Sequence, residues 1–433
     1  MRQVSPEITI NSNRLRFFIL SILCLLTLSI ASCSRDCAVS DEVSVEVPVE
    51  HDWLFFGKGP FKLAADVTGN EFRTIIELSI KRDLDLMDTT AAPILEKSIK
   101  LRTKPGESVR TMLPLGKLAP GFYQIKINDN KPFNIGVNPE QIQSPADTPV
   151  DFDEFWETTI SELNEVPLEV KWTLVPEHSS AVRECYRVEI PSFGGATMGG
   201  IIFIPTAEGR YPVMMGFMGY GANVYYEDPD YHADRIDYLV SVRDQGIFKG
   251  NQDGWIDRGL ASKEDFYYRG AFCDIVRSVE FAAGLPKADT TRIFGCGDSQ
   301  GGAFTWISAA LTDRMRAITP GVPFLSDYPD YARIVNWPMQ EVFRHADAEG
   351  IPREQLMEML RYFDVKNFAS RITCPAYMAF GLQDPTCPPH TNFAGYNNVK
   401  SEKHYFCAPR CGHGIWEISE WLQTRDAFFS KYQ

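Results

Sequence analysis

One serine stands in a pattern that could make its hydroxyl a nucleophile. Residues 297–302 read Gly-Asp-Ser-Gln-Gly-Gly, with Ser299 at the centre and a glycine two positions to either side. A strand-like run at 292–295 precedes this segment, and a helix-like run at 303–311 follows it. Strand, tight turn and helix together form a nucleophile elbow, in which the serine is exposed above the sheet and the helix dipole favours a developing oxyanion. Without these neighbours the pattern is weak, because it also fits a structural glycine-rich turn.

A nucleophilic serine needs a base and an acid that orients the base. In folds with this elbow they follow in the order serine, acid, histidine. His413 lies in a Cys-Gly-His-Gly loop after the last predicted strand, and Asp384 follows the strand before it, in Gly-Leu-Gln-Asp-Pro. His390, in a Pro-rich loop just after that acid, is the weaker rival for the base. The sequence therefore predicts a triad of Ser299, Asp384 and His413.

Two loops supply candidate N–H donors for an oxyanion. Gln300, directly after the serine, gives one, and the glycine-rich turn 216–221 lies after an early strand, where the other originates in such sites. That turn also fits a plain loop. The segment 243–246, Arg-Asp-Gln-Gly, is interpreted as a salt-bridged support for neighbouring loops in preference to a direct chemical role. The sequence has no zinc-like Cys/His spacing, P-loop or dinucleotide fingerprint, so no cofactor and no metal is predicted.

The elements around these residues alternate between strands and helices from about residue 186 onward. Strands are predicted at 186–190, 200–204, 211–217, 236–242, 292–295, 315–319, 376–380 and 404–408, and helices at 272–283, 303–311 and 421–432. Such alternation predicts an α/β fold with a mostly parallel sheet covered by helices. The segment 330–370 interrupts this order with helical periodicity, and it is either a cap over the site or an oligomer surface.

The N-terminal part has a different pattern. Short alternating runs at 43–47, 74–80 and 122–127 predict strands, and the region has no convincing amphipathic helix. We therefore predict a small all-β sandwich of immunoglobulin-like type over 38–140. It could bind carbohydrate or act as a spacer.

A linker separates this sandwich from the α/β part. Residues 138–150 are rich in Pro, Gln, Asn and Ser, which is typical of a boundary. Asp151 then opens a helix, with Glu154 three residues later in capping-box spacing. We therefore place the α/β domain at 148–433.

The first 33 residues have the pattern of a secretory signal. Arg14 and Arg16 precede an apolar run at 17–31, which is shorter than the roughly 20 apolar residues that span a bilayer. Small residues directly before Cys33 resemble the bacterial lipobox, after which the cysteine becomes a lipidated N-terminus. We therefore predict an exported lipoprotein of the bacterial cell envelope, attached to a membrane and either periplasmic or surface-exposed. The alternative is a soluble secreted protein with an incidental Cys33.

Composition limits the classes of partner. The 433 residues are 44% apolar and 23% charged, as in folded soluble proteins, and the net charge is −14. Nucleic-acid binders carry basic patches, so no nucleic acid is expected, and an acidic surface suits neutral ligands such as sugars. Ten cysteines are too few for a disulfide scaffold. Because the acid and histidine loops of a triad must meet, we hypothesise a Cys387–Cys411 disulfide. Free thiols, or Cys407 as the partner of Cys411, are the alternatives.

Residues 148–432 resemble carbohydrate esterase family 7, the acetyl xylan esterases and cephalosporin-C deacetylases. The segments that carry the likeness are 151–156, the turn ending at Tyr220, Gly254 with Trp255, 267–270 with Asp274 and Arg277, 299–302, the loop with Gly381, Asp384, Pro388 and Pro389, and Gly412 with His413. The resemblance implies an α/β-hydrolase fold and a triad of Ser299, Asp384 and His413. It also implies an oxyanion hole formed by the N–H groups of Tyr220 and Gln300.

The sequence departs from this family in places. Asp244 stands where the family has glycine, Gly414 where it has an acid after the histidine, and Met218 where it tends to have histidine. None of these changes removes a triad member. The sandwich and the lipid anchor lie outside the family's common single-domain form, and the oligomeric state stays open.

The sequence thus predicts a membrane-anchored serine esterase that removes acetyl groups from xylan or xylo-oligosaccharides through an acyl-enzyme. Two other functions are considered. A peptidase of the same fold usually carries a propeller domain, for which the N-terminal segment is too small. A catalytically silent glycan-binding lipoprotein would lack a triad member, and all three are present.

Overall fold

The structure, a computed structural model, describes residues 43–223, 225–250 and 254–433. The predicted signal segment, including Cys33, lies outside these residues. Within them, no helix is both long and apolar enough to cross a membrane.

In the described chain, the strands before residue 138 form two facing sheets. These strands are β1 Ser44–Glu46, β2 Leu54–Phe55, β3 Phe61–Thr68, β4 Arg73–Arg82, β5 Leu95–Arg102, β6 Ser108–Gly116, β7 Gly121–Ile127 and β8 Phe133–Val137. One sheet has the order β1-β3-β6 and the other β2-β8-β7-β4-β5. Alternate residues of a strand are buried between the sheets; in β4, Ile76, Leu78 and Ile80 are at most 1% exposed. This burial produces the period-two pattern from which the strands are predicted.

The strand order is that of an immunoglobulin-like sandwich. β3 pairs with β6 in one sheet, and β8, β7 and β4 lie side by side in the other, with antiparallel pairing at each of these contacts. Tyr123, near the start of β7, donates its hydroxyl hydrogen to the carbonyl of Ala119 at 2.7 Å. This is the tyrosine corner that accompanies many such sandwiches. The predicted N-terminal β-sandwich is confirmed.

A nine-stranded sheet forms the centre of the remaining described chain. Its strands are β9 Lys171–Leu174, β10 Arg183–Pro191, β11 Thr197–Pro205, β12 Tyr211–Phe217, β13 Ile236–Ser241, β14 Ala288–Asp298, β15 Met315–Gly321, β16 Ala376–Gly381 and β17 Lys403–Ala408. They lie in the order β17-β16-β15-β14-β12-β13-β11-β10-β9. The strands from β12 onward are parallel, whereas β9, β10 and β11 pair antiparallel. The predicted mostly parallel sheet is confirmed.

Helices cover both faces of this sheet. They are α1 Phe152–Asn164, α2 Tyr267–Ala283, α3 Gln300–Ala310, α4 Tyr328–Ile334, α5 Met339–Ala348, α6 Arg353–Leu360, α7 Val365–Phe368, α8 Pro389–Asn398 and α9 Ser419–Ser430. Successive residues of β14 point to opposite faces. Ile293 belongs to the main core with α2 and α3, whereas Phe294 packs with Phe428 and Phe429 of α9. Both helical layers are therefore needed to bury the sheet.

The start of α1 differs from the prediction. Asp151 stands at the N-cap, but its carboxylate accepts no capping hydrogen bond. It accepts hydrogen bonds from the Lys263 ammonium and the Tyr362 hydroxyl instead. A charged donor gives a carboxylate a stronger hydrogen bond than a neutral one does. The expected capping box is therefore wrong, although the helix begins where predicted.

The order of the strands marks the place for a site. The chain lays β13 on one side of β12 and then returns to lay β14 on the other side. In open α/β sheets, ligands bind beyond the carboxyl ends of the strands at such a switch point. The loops after β12 and β14 are therefore the expected position of a site.

The sandwich packs directly against the α/β part. The ring of Phe122 in β7 contacts Phe380 of β16 and Phe393 of α8, with ring centres 6.4 and 5.8 Å apart. Beside them, the Asp83 carboxylate accepts a 2.8 Å hydrogen bond from Nδ1 of His390 in α8, and both side chains are buried. His390, the weaker rival for the catalytic base, thus binds Asp83 of the sandwich.

The Asp83–His390 pair predicts a pH-dependent stability. Burial lowers the pKa of His390, but the Asp83 carboxylate outweighs burial and holds the pKa above its usual value. This contribution to folding is complete below the unfolded pKa of about 6.5 and is lost as the pH rises through the folded pKa. Asp83→Asn should therefore lower the free energy of unfolding by about 2 kcal/mol near pH ~6, and by less near pH ~9, in urea denaturation.

Asp85→Asn is the matched control. Asp85 lies in the same short turn, but its ion pair with Arg333 is long, at 3.8 Å, and about half of the Arg333 side chain is exposed. Such pairs contribute about 0 to 1 kcal/mol. A loss in Asp83→Asn that is no larger than the control's, or that does not change with pH, would contradict this account.

Candidate active site

Ser299 lies in the tight turn between β14 and α3. Its backbone angles are φ 60° and ψ −120°, a strained conformation for a residue other than glycine. The neighbouring chain comes this close because two glycines have no side chain. A Cβ at Gly301 would lie 2.1 Å, and one at Gly297 2.6 Å, from the carbonyl oxygen of Phe217. The turn therefore has the geometry of a nucleophile elbow.

The acid and histidine loops meet beside this turn. Asp384 follows β16 and His413 follows β17, and the Asp384 carboxylate accepts a 2.8 Å hydrogen bond from Nδ1 of His413. The other carboxylate oxygen accepts from the N–H groups of Thr386 and Cys387 at 2.7 and 3.0 Å. These bonds fix the buried carboxylate and leave Nε2 as the free ring nitrogen. Such a pair can hold the imidazole of a general base in the required tautomer.

Ser299 and His413 line one cavity, but no hydrogen bond joins them in the structure. Among the described residues, Ser299 Oγ has its one hydrogen-bond contact with Sγ of Cys387, at 4.0 Å. Catalytic hydrogen bonds in free enzymes are often long or poorly aligned, and they tighten when substrate binds. The fold thus brings the serine, the acid and the histidine to one cavity.

The two candidate oxyanion donors also lie at this site. Tyr220 lines the cavity, and Gln300 begins α3 directly after the serine. Within the described chain, no hydrogen bond uses the N–H of either residue. The Tyr220 hydroxyl, in contrast, accepts hydrogen bonds from the N–H groups of Trp255 and Ile256 at 2.8 and 3.3 Å. The phenol anchors a neighbouring loop, and the backbone N–H is the group free to bind an oxyanion.

A buried amide network holds both donor loops. The side chains of Gln300 and Gln245 exchange hydrogen bonds of 3.0 and 3.2 Å, and Gln300 also accepts one from the Tyr268 hydroxyl at 2.8 Å. Gln245 accepts another from the N–H of Gly221 at 3.2 Å. One glutamine therefore ties the turn after β12 to the start of α3. Because both amides are buried, an unpaired group here would cost about 1 to 3 kcal/mol.

The segment 243–246 has a supporting position. The Arg243 guanidinium binds the buried Asp274 carboxylate at 2.7 and 2.9 Å, and the Arg243 N–H donates to it at 2.8 Å. Asp244, which replaces the family's glycine, has φ 60°, a conformation that favours glycine. Asp244 therefore holds some backbone strain in this loop.

The cavity beside Ser299 has a volume of about 680 Å³. Three tryptophans line it, of which Trp421 is buried, whereas Trp416 is 45% and Trp337 42% exposed. The Trp416 ring meets the His413 ring edge-on at 5.6 Å, and the Trp337 ring contacts that of Tyr220 at 5.9 Å. Trp337 lies between α4 and α5, so the inserted helical segment covers the site. This contact agrees with the predicted role of a cap, and the role of an oligomer surface stays a prediction.

Asp298, directly before the serine, is an ionisable side chain that the triad pattern does not include. Burial raises the pKa of Asp298 to about 6, against the opposing influence of Arg425 and His413. Both Asp298 and Arg425 line the cavity. The Asp298 carboxyl thus lies in the same cavity as the His413 imidazole.

The hypothesised Cys387–Cys411 disulfide is wrong. In the described residues both cysteines are free thiols. The hydrogen bonds from Thr386 and Cys387 to Asp384 close the acid loop into a tight turn, which directs Cys387 Sγ towards Ser299 Oγ. Burial there raises the pKa of the Cys387 thiol well above its usual value.

Two residues that were not predicted from the sequence, Gln383 and Asn134, tie the sandwich to the acid loop. Gln383, next to Asp384, accepts a 2.7 Å hydrogen bond from the N–H of Asn134 in β8. The Gln383 amide donates to the carbonyl of Asn134 at 3.1 Å and to that of Pro409 at 2.8 Å. The Asn134 side-chain amide donates to the Leu382 carbonyl at 3.0 Å. One side chain thus links the sandwich, the acid loop and the histidine loop. No local pattern indicates a contact between residues 249 positions apart.

Comparison with known families gives a match over most of the α/β part. Residues 140–430 match the family model described as acetyl xylan esterase (AXE1), which covers more than half of the chain. The chain belongs to the acetyl xylan esterase family. This match confirms the resemblance to the acetyl xylan esterases that the sequence motifs indicate.

Individual relatives agree with this assignment. The esterase is 24% identical over 459 residues to acetyl esterase Axe7A of Xylanibacter ruminicola, covering 100% of this chain and 99% of that protein. It is similar to the solved acetyl xylan esterase 1 of Thermoanaerobacterium sp. JW/SL YS485, at 29% identity and a TM-score of 0.62, over 68% of this chain and 97% of that one. It is also similar to the solved acetyl xylan esterase of Paenibacillus sp. R4, at 27% identity and a TM-score of 0.63, over 68% of this chain and 98% of that one. The chain is a carboxylic ester hydrolase with an α/β-hydrolase fold.

The Gln383 contact predicts a positioning effect in this esterase. Gln383→Ala removes three hydrogen bonds around the acid and histidine loops and leaves the cavity beside Ser299 unchanged. We expect kcat for a small acetate ester to fall about tenfold with little change in KM, because a loosened Asp384–His413 pair less often meets the serine in a productive geometry. Steady-state kinetics measure both constants.

Asn134→Ala is the control for this variant. It keeps the two main-chain bonds with Gln383 and loses the bond to Leu382. Its kcat should therefore fall by less than about threefold. Equal losses in the two variants, or a rise in KM with kcat unchanged, would contradict the positioning role.

Proposed function

We propose that this esterase removes acetyl groups from acetylated xylan or xylo-oligosaccharides, with Ser299, Asp384 and His413 as its triad. The observation that carries the proposal is one cavity, in which the serine lies with the carboxylate-bound imidazole. The relatives are named acetyl esterase and acetyl xylan esterase, which supports the same substrate class.

The proposed reaction follows from the positions of these groups. Ser299 Oγ attacks the acetyl carbonyl while Nε2 of His413 takes the hydroxyl proton, and Asp384 holds the imidazole. The N–H groups of Tyr220 and Gln300 stabilise the oxyanion. The tetrahedral intermediate then breaks its bond to the sugar oxygen, which leaves with the proton from His413. Water attacks the acetyl-enzyme by the same route and releases acetate.

The surroundings of the cavity suit a sugar. Trp337 and Trp416 are nearly half exposed at its edge, and an exposed indole ring can pack against the apolar C–H surface of a pyranose. The net charge of −14 disfavours polyanionic substrates and is compatible with a neutral glycan.

Two alternatives have less support. A peptidase of this fold that uses a propeller would need a much larger N-terminal domain than the sandwich. A silent glycan-binding protein would have no use for the strained backbone of Ser299, because such strain persists where the surrounding structure enforces it and clusters at active sites.

The nucleophile has a direct test. Ser299→Ala should lower the release of acetate from acetylated xylo-oligosaccharides by about 10³-fold or more without unfolding the protein, since triad members act as a unit. Cys387→Ala is the matched control: its sulfur lies 4.0 Å from Ser299 Oγ, but its raised pKa keeps the thiol protonated. That variant should keep its activity within about tenfold.

A peptide amide is assayed in parallel with the acetylated sugar. Unchanged turnover in a folded Ser299→Ala protein would rule out the proposed nucleophile. Faster cleavage of the peptide amide than of the sugar acetate would favour the peptidase.

We further propose that the protein is exported and held at a membrane of the bacterial envelope by lipid on Cys33. The support is the sequence: Arg14 and Arg16, the apolar run 17–31 and the small residues before Cys33. Several acyl chains on one residue provide the stable attachment that one chain does not. An anchored esterase would meet a polysaccharide that is too large to cross the membrane.

Cell fractionation tests the anchor. In a bacterial host, Cys33→Ser should abolish incorporation of labelled palmitate and move the protein from the membrane to the soluble fraction. Cys24→Ser, within the apolar run, is the control and should keep both properties. Palmitate label that persists in Cys33→Ser would contradict the proposal.

A further inference from the structure

A second and larger cavity lies between the sandwich and the α/β part. Its volume is about 1350 Å³. Gln124, Asn130 and Phe133 of the sandwich line one side, and Asp384 and His413 line the other. His413 also lines the catalytic cavity, so the two cavities adjoin the same imidazole.

The sandwich wall of this cavity offers groups that the fold does not use. The side-chain amides of Gln124 and Asn130 make no hydrogen bond within the described residues. Phe133 is only partly buried, with its ring 4.9 Å from that of Trp53. The charged residues that line the cavity are two cations, Lys131 and Arg410, and two acids, Asp83 and Asp384, so their formal charges balance. Amides that can donate to and accept from hydroxyls, next to an aromatic ring, then suit a neutral and hydroxyl-rich chain.

The chemistry of the site places the sugar on the His413 side. In ester hydrolysis the histidine gives its proton to the leaving oxygen, so the sugar bonded to that oxygen must lie next to the imidazole. The small acetyl group lies at the serine and the oxyanion donors. Because His413 lines both cavities, a glycan that extends from the reacting sugar past this imidazole reaches the second cavity.

We propose that this cavity binds the neutral glycan chain that carries the acetyl group, so that the sandwich forms one wall of the substrate site. The proposal rests on the proposed deacetylase function and adds a preference: long acetylated chains are favoured over single acetylated sugars. The cavity has about twice the volume of the catalytic one, which leaves room for further sugar rings beyond the reacting one.

Blocking the cavity tests this inference. Asn130 lies exposed after β7, so Asn130→Trp adds bulk in the cavity without entering the core. We expect kcat/KM for long acetylated xylo-oligosaccharides to fall about tenfold through KM, and that for aryl acetate or acetylated xylose to change by less than about twofold. Gln124→Ala should give a smaller loss of the same kind, because it removes an amide and adds no bulk.

Asp129→Trp is the matched control. Asp129 neighbours Asn130 in the same turn, but its side chain is 108% exposed and does not line the cavity. It should leave every substrate unaffected. Equal losses on long and small substrates in Asn130→Trp, or no loss on long ones, would overturn the role of the cavity while leaving catalysis by Ser299 intact.

Failure of the proposed function can be told apart from failure of this inference. If the wild-type protein cleaves aryl acetate but no acetylated xylo-oligosaccharide, the deacetylase proposal fails. Calorimetric titration of the Ser299→Ala protein with unacetylated xylo-oligosaccharides then decides the inference. Binding that Asn130→Trp weakens about tenfold supports a glycan site, and binding that is absent or equal in both proteins overturns it.

Discussion

The hydrogen bond between Asp384 and His413 is the contact on which the rest of the site depends. It requires the loops after β16 and β17 to meet, and adjacent parallel strands bring their carboxyl ends to the same edge of the sheet. Neither loop is regular, so each must be fixed from outside. Backbone N–H groups hold the carboxylate, and the Gln383 side chain joins the acid loop to the histidine loop. The catalytic geometry is thus a product of loop fixation more than of the sheet.

The sandwich takes part in that fixation. It contributes Asn134 to the bonds around Gln383 and Asp83 to the buried pair with His390, and it packs Phe122 on the sheet and α8. Burying two charges is costly unless their geometry is good. A domain that served only as a spacer would have no need of such a buried ion pair where it meets the α/β part. The position of this contact, directly beside the acid loop, is also what creates the second cavity.

Buried side-chain amides fix the two turns that carry the candidate oxyanion donors. The amides of Gln245 and Gln300 donate to each other, and Gln245 also accepts from the N–H of Gly221, so the two turns that carry the candidate oxyanion donors are joined. An amide network of this kind permits one arrangement, because any other leaves a buried group unpaired. The network therefore holds the turn after β12 in place although Asp244, next to Gln245, has a strained backbone.

Residue patterns were sufficient to predict the parallel strands, the β-sandwich, the turn at Ser299 and the chain order that leads to Asp384 and His413. These features depend on local rules: period-two burial, glycines at a tight turn, and the order of elements in the fold. Two contacts could be recognised only in the folded chain: the Cys387 sulfur lies near the serine, and Gln383 bonds to the sandwich across 249 positions. Such contacts depend on how distant surfaces pack together, and no local pattern of residue types encodes which of many polar partners a side chain will meet.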